Sequence, residues 1–429
     1  MRHSVFAAAL SFAALSIAPA SAMGQAATVQ SSAGDNGIKL GEGRLHPYAQ
    51  ADTHFVVNPG RLSDQNKDLI DAARDEPLPG SDGYVALTAG LDYDLPSPTL
   101  ELKFGSSISR NQYFQITELN GWNADVKAGL TGFKDGPFEY RLNAGYIRSQ
   151  QPGNQVVRAT VDHNDFTGGA GITFRPGGGA LTLSADYSVY YQRYDNSISN
   201  QQVLGNPLNF NSLQQSPSLR ASWSFLPKTQ LFVEANADIT RYPDEDETQL
   251  LNFNATNLET YIGLNGALTT RFSVLAKIGY GNPFTRNDDD FIPVVGHAEI
   301  GYYLSSVSKV NVGFYRRTTP QPLFGFVAEN TGYARWDQQI GKVQVNASVE
   351  GGQYSYGVQQ DASNNRIDNG IQFGLGVSYP MNDWLTLAVS ESLEFRTSNN
   401  DQISFGNGED ASPGIDFGFF TNDIFLRLS

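Results

Sequence analysis

The chain has 429 residues, a formal net charge of -15 at pH 7 and no cysteine. So acidic a surface excludes a nucleic-acid binder, or a chain held to anionic phospholipid by charge, and without cysteine no disulfide contributes to stability. Hydrophobic content of 40%, aromatic content of 12% and a mean hydropathy of -0.33 fit a soluble protein. They fit equally a barrel that alternates lipid-facing and water-facing residues.

At the N-terminus, Arg2, an apolar run from Val5 to Ile17 and the small-residue stretch Ala20-Ser21-Ala22 read as an export signal over residues 1–22. Residues 23–43 are polar and read as a flexible periplasmic linker, and 44–429 as one domain. Beyond the signal no run of about eighteen apolar residues exists, so no helix can cross a bilayer. A membrane-embedded form of this chain must be built of strands.

Period-two alternation recurs at 84–94, 99–110, 121–133, 138–149, 162–175, 180–195, 216–226, 229–242, 258–269, 271–281, 293–304, 309–319, 332–340, 342–356, 368–379, 383–396 and 414–428. No helical stretch of crossover length intervenes, which predicts an antiparallel meander. Tight turns of Gly, Pro, Asn and Lys, such as Pro96-Ser97-Pro98, Pro176-Gly177-Gly178-Gly179 and Pro227-Lys228, alternate with longer polar connections such as 196–215, 243–257 and 397–413. Short and long connections in alternation are the pattern of outer-membrane barrels, with short periplasmic turns and longer extracellular loops. These segments are odd in number, whereas an antiparallel barrel with both termini in the periplasm needs an even number of strands. Residues 45–57, with Leu45, Ala49, Ala51, Phe55 and Val57 opposite His46, Gln50, Asp52 and His54, supply the missing strand. The predicted fold is all-β, a transmembrane up-and-down barrel of about eighteen strands with a water-filled interior.

Residues 342–350, Lys-Val-Gln-Val-Asn-Ala-Ser-Val-Glu, pose the question of which face looks inward. In a soluble sandwich or propeller the valines would be core; in a membrane barrel they would face lipid. No propeller-blade repeat of about 40 to 50 residues is present, and aromatics such as Tyr84, Tyr93, Trp122, Phe133, Tyr187, Tyr194, Trp223, Phe225, Tyr302, Tyr303, Tyr379 and Trp384 gather near segment ends, as interfacial girdles do. Both favour the inverted, lipid-facing arrangement. Parity then assigns Glu234, Asp238, Glu259, Lys277, Glu299, Lys309, Arg317, Lys342, Glu350, Glu394 and Arg396 to the lumen. Their mixed signs predict weak ion selectivity.

The meander, the stretch Leu-His-Pro-Tyr-Ala-Gln-Ala-Asp at 45–52 before a long first loop, and the closing Ile-Phe-Leu-Arg-Leu-Ser at 424–429 give a resemblance. From Arg44 to Ser429 the chain resembles the alphaproteobacterial outer-membrane β-barrel porins of the second porin-like type, some of which are associated with exopolysaccharide export. The resemblance implies the outer membrane of a Gram-negative bacterium. The partners it implies are membrane lipid, lipopolysaccharide, the barrel-assembly machinery and, for export, polysaccharide-export components. It carries over no functional residues, and the chain departs from the terminal aromatic usual in such barrels, ending in Ser429.

Enzyme motifs are absent: no Gly-x-Ser-x-Gly, His-Glu-x-x-His or phosphate-binding loop occurs. No catalytic residue, metal ligand or cofactor is expected. His46, His54, His163 and His297 are read as barrel residues, His297 sharing the lumen face of Glu299. Asp244-Glu245-Asp246-Glu247 and Asp288-Asp289-Asp290 lack calcium-loop spacing and read as solvated loops or as cation bridges to lipopolysaccharide, and 63–74 as a short amphipathic helix, a constriction or a rim cover. Three functional classes stay open: a diffusion porin, a polysaccharide export conduit, and a structural or enzymatic barrel with a blocked lumen.

Overall fold

The computed structural model describes residues 37–59, 79–151, 161–194, 211–243, 254–284, 293–321, 325–357, 366–399 and 418–429. The signal segment, the 63–74 stretch and both acidic clusters lie outside the described residues. A short strand β1 (Ile38–Leu40) precedes β2 (Gly43–Val57), β3 (Ser81–Leu95), β4 (Leu100–Tyr113), β5 (Gly121–Gly132), β6 (Phe138–Gln151), β7 (Val161–Phe174), β8 (Leu181–Tyr194) and β9 (Ser212–Leu226). The meander continues through β10 (Thr229–Arg241), β11 (Ala255–Ala267), β12 (Phe272–Asn282), β13 (Val294–Ser305), β14 (Ser308–Gln321) and β15 (Gly325–Ile340), then β16 (Val343–Gly357), β17 (Ile367–Asn382), β18 (Leu385–Ser398) and β19 (Phe419–Leu428).

Each strand from β2 onward pairs antiparallel with the next, and β19 returns to β2 from Asn422↔Val57 to Leu428↔Ala51. The result is a closed antiparallel barrel of 18 strands. Closure pairs the first and last strands of the wall over Ala51 to Val57, where an open edge in hydrocarbon would cost several kcal/mol for every missing backbone partner. The segment 45–57, inferred from strand parity, is thus the strand that closes the wall. Residues 38–40, within the segment read as linker, form β1, which turns at Gly41 (φ 65°) and pairs with β2 from Ile38↔Leu45 to Leu40↔Gly43.

The outward faces carry the apolar residues. Val233, Ile262 and Ile278 stand exposed in register across β10 to β12, Ile300 and Val312 in register across β13 and β14, and Leu375 is exposed on β17. For a water-soluble protein such a continuous surface would drive aggregation; around a barrel it is the lipid-facing belt. Ring pairs bound it: Phe138 with Phe174 (4.5 Å) and Phe272 with Tyr302 (4.7 Å) toward the short turns, Tyr146 with Phe166 (5.1 Å) and Phe395 with Phe420 (4.7 Å) toward the long connections. Val343, Val345, Ala347 and Val349 lie on this outer face, while Gln344, Asn346 and Ser348 are exposed to the interior. The opening alternation of that strand is therefore inverted relative to a soluble core.

Three aromatics expected in the girdles face inward instead. Tyr84 stacks on His54 at 4.2 Å, Tyr194 lies 5.7 Å from His163, and Tyr303 shares the face of Lys309. Lys342 is not on a strand: Gly341 (φ 61°) and Lys342 make the two-residue turn between β15 and β16, and only glycine adopts that left-handed backbone without strain.

Candidate functional site: the lumen wall

Register places Glu234, Asp238, Glu259, Lys277, Glu299, Lys309, Arg317, Glu350, Glu394 and Arg396 on the interior face, leaving Lys342 at the rim. The structure groups them rather than spreading them in a ring. Glu234 on β10 is held by Arg220 of β9 (2.9 Å) and by Lys277 of β12 (3.3 Å). Lys277 also lies over the Tyr261 ring at 3.9 Å. Tyr333 donates its hydroxyl proton to Glu299 (2.6 Å) and stands 2.7 Å from His297 Nε2, so His297 is tied into the wall. Tyr315 donates to Glu350 at 3.1 Å. Arg396 and Arg366 both grip Asp368, which is fully buried. In a water-poor wall, charge pairs of this kind fix side-chain positions because leaving either partner alone is costly.

The upper end of β14 departs from the barrel pattern. Its pairing with β13 ends at Gly296↔Arg316, whereas its pairing with β15 continues to Gln321↔Gly325. Beyond Arg316 the backbone is satisfied by side chains from β11: the Thr318 N–H donates to Glu259 Oε1 (3.1 Å), and Asn257 Nδ2 donates to the Thr318 carbonyl (2.9 Å). Two strands, β12 and β13, lie between these partners in the wall. The end of β14, with β15 attached, therefore leans inward across them and covers Val295, which is 1% exposed. Gly281 on β12 gives it room, since a Cβ there would lie 2.6 Å from Val295 Cγ1 and 3.4 Å from Thr318 Oγ1. Arg317 forks onto Glu329 (3.0 and 2.8 Å), and Thr319 donates to the same carboxylate at 3.1 Å, locking the bent hairpin. This element narrows the lumen at the long-connection end. Sequence parity found Glu259 and Arg317 but not Asn257, Thr318 or Glu329.

Toward the short turns the interior opens into a cavity of about 2200 Å³, lined by Asp92, Asp94, Asp125, Lys127, Asn143 and Asn346 among others. Its glycines Gly105, Gly129, Gly145, Gly374 and Gly376 keep the wall low. Lys103 bridges to Glu101 at 3.0 Å, while Asp92, Asp94 and Asp125 have no ion pair within the described residues. The cavity therefore holds more free negative than positive charge. At the rim below it, the Lys134 ammonium is held above its ordinary pKa by its hydrogen bond to Glu101 (2.7 Å).

No family model matches the chain, and no curated protein does. Among solved structures, OccAB3 of Acinetobacter baumannii is 9% identical, with 90% of this chain and 99% of that chain covered, at a TM-score of 0.47. OpdQ of Pseudomonas aeruginosa is 10% identical over 90% and 97%, at 0.46. The siderophore receptor PirA of Pseudomonas aeruginosa is 9% identical over 90% and 80%, at 0.43. These are likenesses of fold alone.

Proposed function

We propose that the protein is a passive conduit for small hydrophilic solutes across the outer membrane of a Gram-negative bacterium. In this reading residues 1–22 are an export signal, the short turns face the periplasm and the long connections face outside. Lipid, lipopolysaccharide and the barrel-assembly machinery are its partners. The observation that carries the proposal is the pairing of a polar interior cavity of about 2200 Å³ with an exterior belt of exposed apolar side chains. Water fills such an interior, and solutes follow water. The free carboxylates of Asp92, Asp94 and Asp125 add a mild preference for cations, because a ring of excess acid concentrates counter-ions. Side chains paired within the wall offer no turnover chemistry.

Polysaccharide export, which the family resemblance implies for some members, calls for ring faces free to stack on sugars. In the lumen Phe425, His54, Tyr84 and Tyr113 instead turn their faces on one another, at 4.8, 4.2 and 4.5 Å. The diffusion conduit is therefore the better supported reading. The test is planar-bilayer conductance of the purified chain and of a variant lacking residues 61–78. Current from the intact chain supports the conduit. Current only after the deletion identifies the first long connection as a plug, and none in either form identifies a blocked structural barrel.

A further inference from the structure

We propose that the outer face of β18 and β19 around Glu391 and Asn422 is a contact surface for a second copy of this chain within the membrane.

Glu391 lies in register with Leu375 on β17 and Ile424 on β19, both exposed on the outer surface. It stands midway along β18, between Trp384 toward the short turns and the Phe395–Phe420 ring pair toward the other rim. Its outward neighbours on the same strand are Val389 and Leu393. Other outward-facing charged side chains among the described residues, Arg110, Arg148, Asp162, Arg193, Arg241 and Arg316, belong to the long-connection ends of their strands. Glu391 thus stands alone at the depth of the hydrocarbon, where an ionisable group needs a polar partner.

Its own barrel supplies little. Asn422 Nδ2 reaches Glu391 Oε1 at 3.5 Å, the outer limit of a hydrogen bond, and Asn422 Oδ1 is sealed from solvent without a partner. Acyl chains carry no donor or acceptor, so a further partner at this depth has to come from protein. The pair is also complementary to itself. A two-fold axis along the membrane normal would set Glu391 of one copy against Asn422 of the other, and the reverse, so that each carboxamide donates to the facing carboxyl. Isologous contacts of that kind are the simplest closed assemblies. The apolar ring of Leu375, Val389, Leu393, Ile424 and Leu426 would close around the polar centre, as water-excluding rims do in protein interfaces.

The chain has no cysteine, which makes the test direct. Single cysteines are placed at Leu426, beside the pair, and at Val233 on β10 at the far wall, and the proteins are reconstituted in phospholipid vesicles and oxidised. Leu426→Cys is expected to link two copies and Val233→Cys is not. Glu391→Leu, added to Leu426→Cys, should abolish the link, and Glu391→Gln should retain it, because an amide can replace the carboxyl in the hydrogen bond. Glu391→Leu makes the outer face more apolar, and heat-modifiable migration verifies that it still forms the barrel. Linking that survives Glu391→Leu would overturn the proposal. So would wild-type particles that photobleach in one step, or a link that forms only to a different protein in native membranes.

Discussion

Glu259 on β11 accepts the backbone N–H of Thr318 on β14 at 3.1 Å, although β12 and β13 separate the two strands in the wall. A side chain here does the work of a neighbouring strand, and it holds the end of β14 inward of the wall. Replacing Asn257 and Glu259 with alanine leaves the buried N–H and carbonyl of Thr318 without partners, at a cost of about 1 to 3 kcal/mol each. The hairpin is then expected to lose its inward position. Single-channel conductance should rise, with noisier open levels; an unchanged conductance in a folded double variant would show that the bend does not limit flow.

Orientation of the strands gives a second expectation. On β16 Val349 faces lipid and Ser348 faces the interior. Val349→Arg, midway along the strand, should destabilise the folded barrel by about 2 to 4 kcal/mol, the range for a cation at the bilayer midplane, while Ser348→Arg meets water and costs little. Urea titration of both proteins in the same vesicles compares them, and equal stabilities would contradict the outward valines.

Closure is the third. Removing residues 44–57 deletes the strand that pairs with both β3 and β19, and two ladders lose their partners in hydrocarbon. No heat-modifiable, protease-resistant species should form. Recovery of one would mean that a different strand can close the wall.

Ion preference is the fourth. With Asp92, Asp94 and Asp125 all changed to asparagine, the lumen keeps its shape but loses its excess of free acid. The reversal potential in a salt gradient should shift from mild cation preference toward none, or toward anions through Lys127. A reversal potential unmoved by the triple change would place the selectivity elsewhere.

Strands were the most legible part of the sequence, because the side-chain period of two survives wherever one face meets lipid and the other water. It fails where that condition fails. Alternation predicts a strand from Gly332, but β15 begins at Gly325; Phe326, Val327 and Ala328 are consecutive and all buried, since the bent hairpin is covered on both sides. Tyr84, Tyr194 and Tyr303 were unreadable for a related reason, as a ring near a strand end suits either the girdle or the interior. Parity placed the ionisable lumen residues, yet the triad of Arg220, Glu234 and Lys277 depends on register across four strands, which no single segment reveals. Glu391 was within reach, since it shares the parity of Leu387 and Val389, but a lone acid in an apolar stripe becomes conspicuous only once the wall is closed around it.

The small hairpin of β1 and β2 bears on how such a wall is assembled. β19 covers the free edge of β2 only from Val57 to Ala51, and β1 lies along the same edge from Leu45 to Gly43. The two strands that must meet are the first and last of the wall, so this seam joins the residues most distant in sequence, and an unpaired edge of β2 is open to any extended chain nearby. By folding back on itself the N-terminal segment occupies the far end, Gly43 to Leu45, of the stretch of edge that β19 does not reach. Where β1 lies, Arg44 and Leu45 have a partner strand on both sides and offer no open edge to another strand.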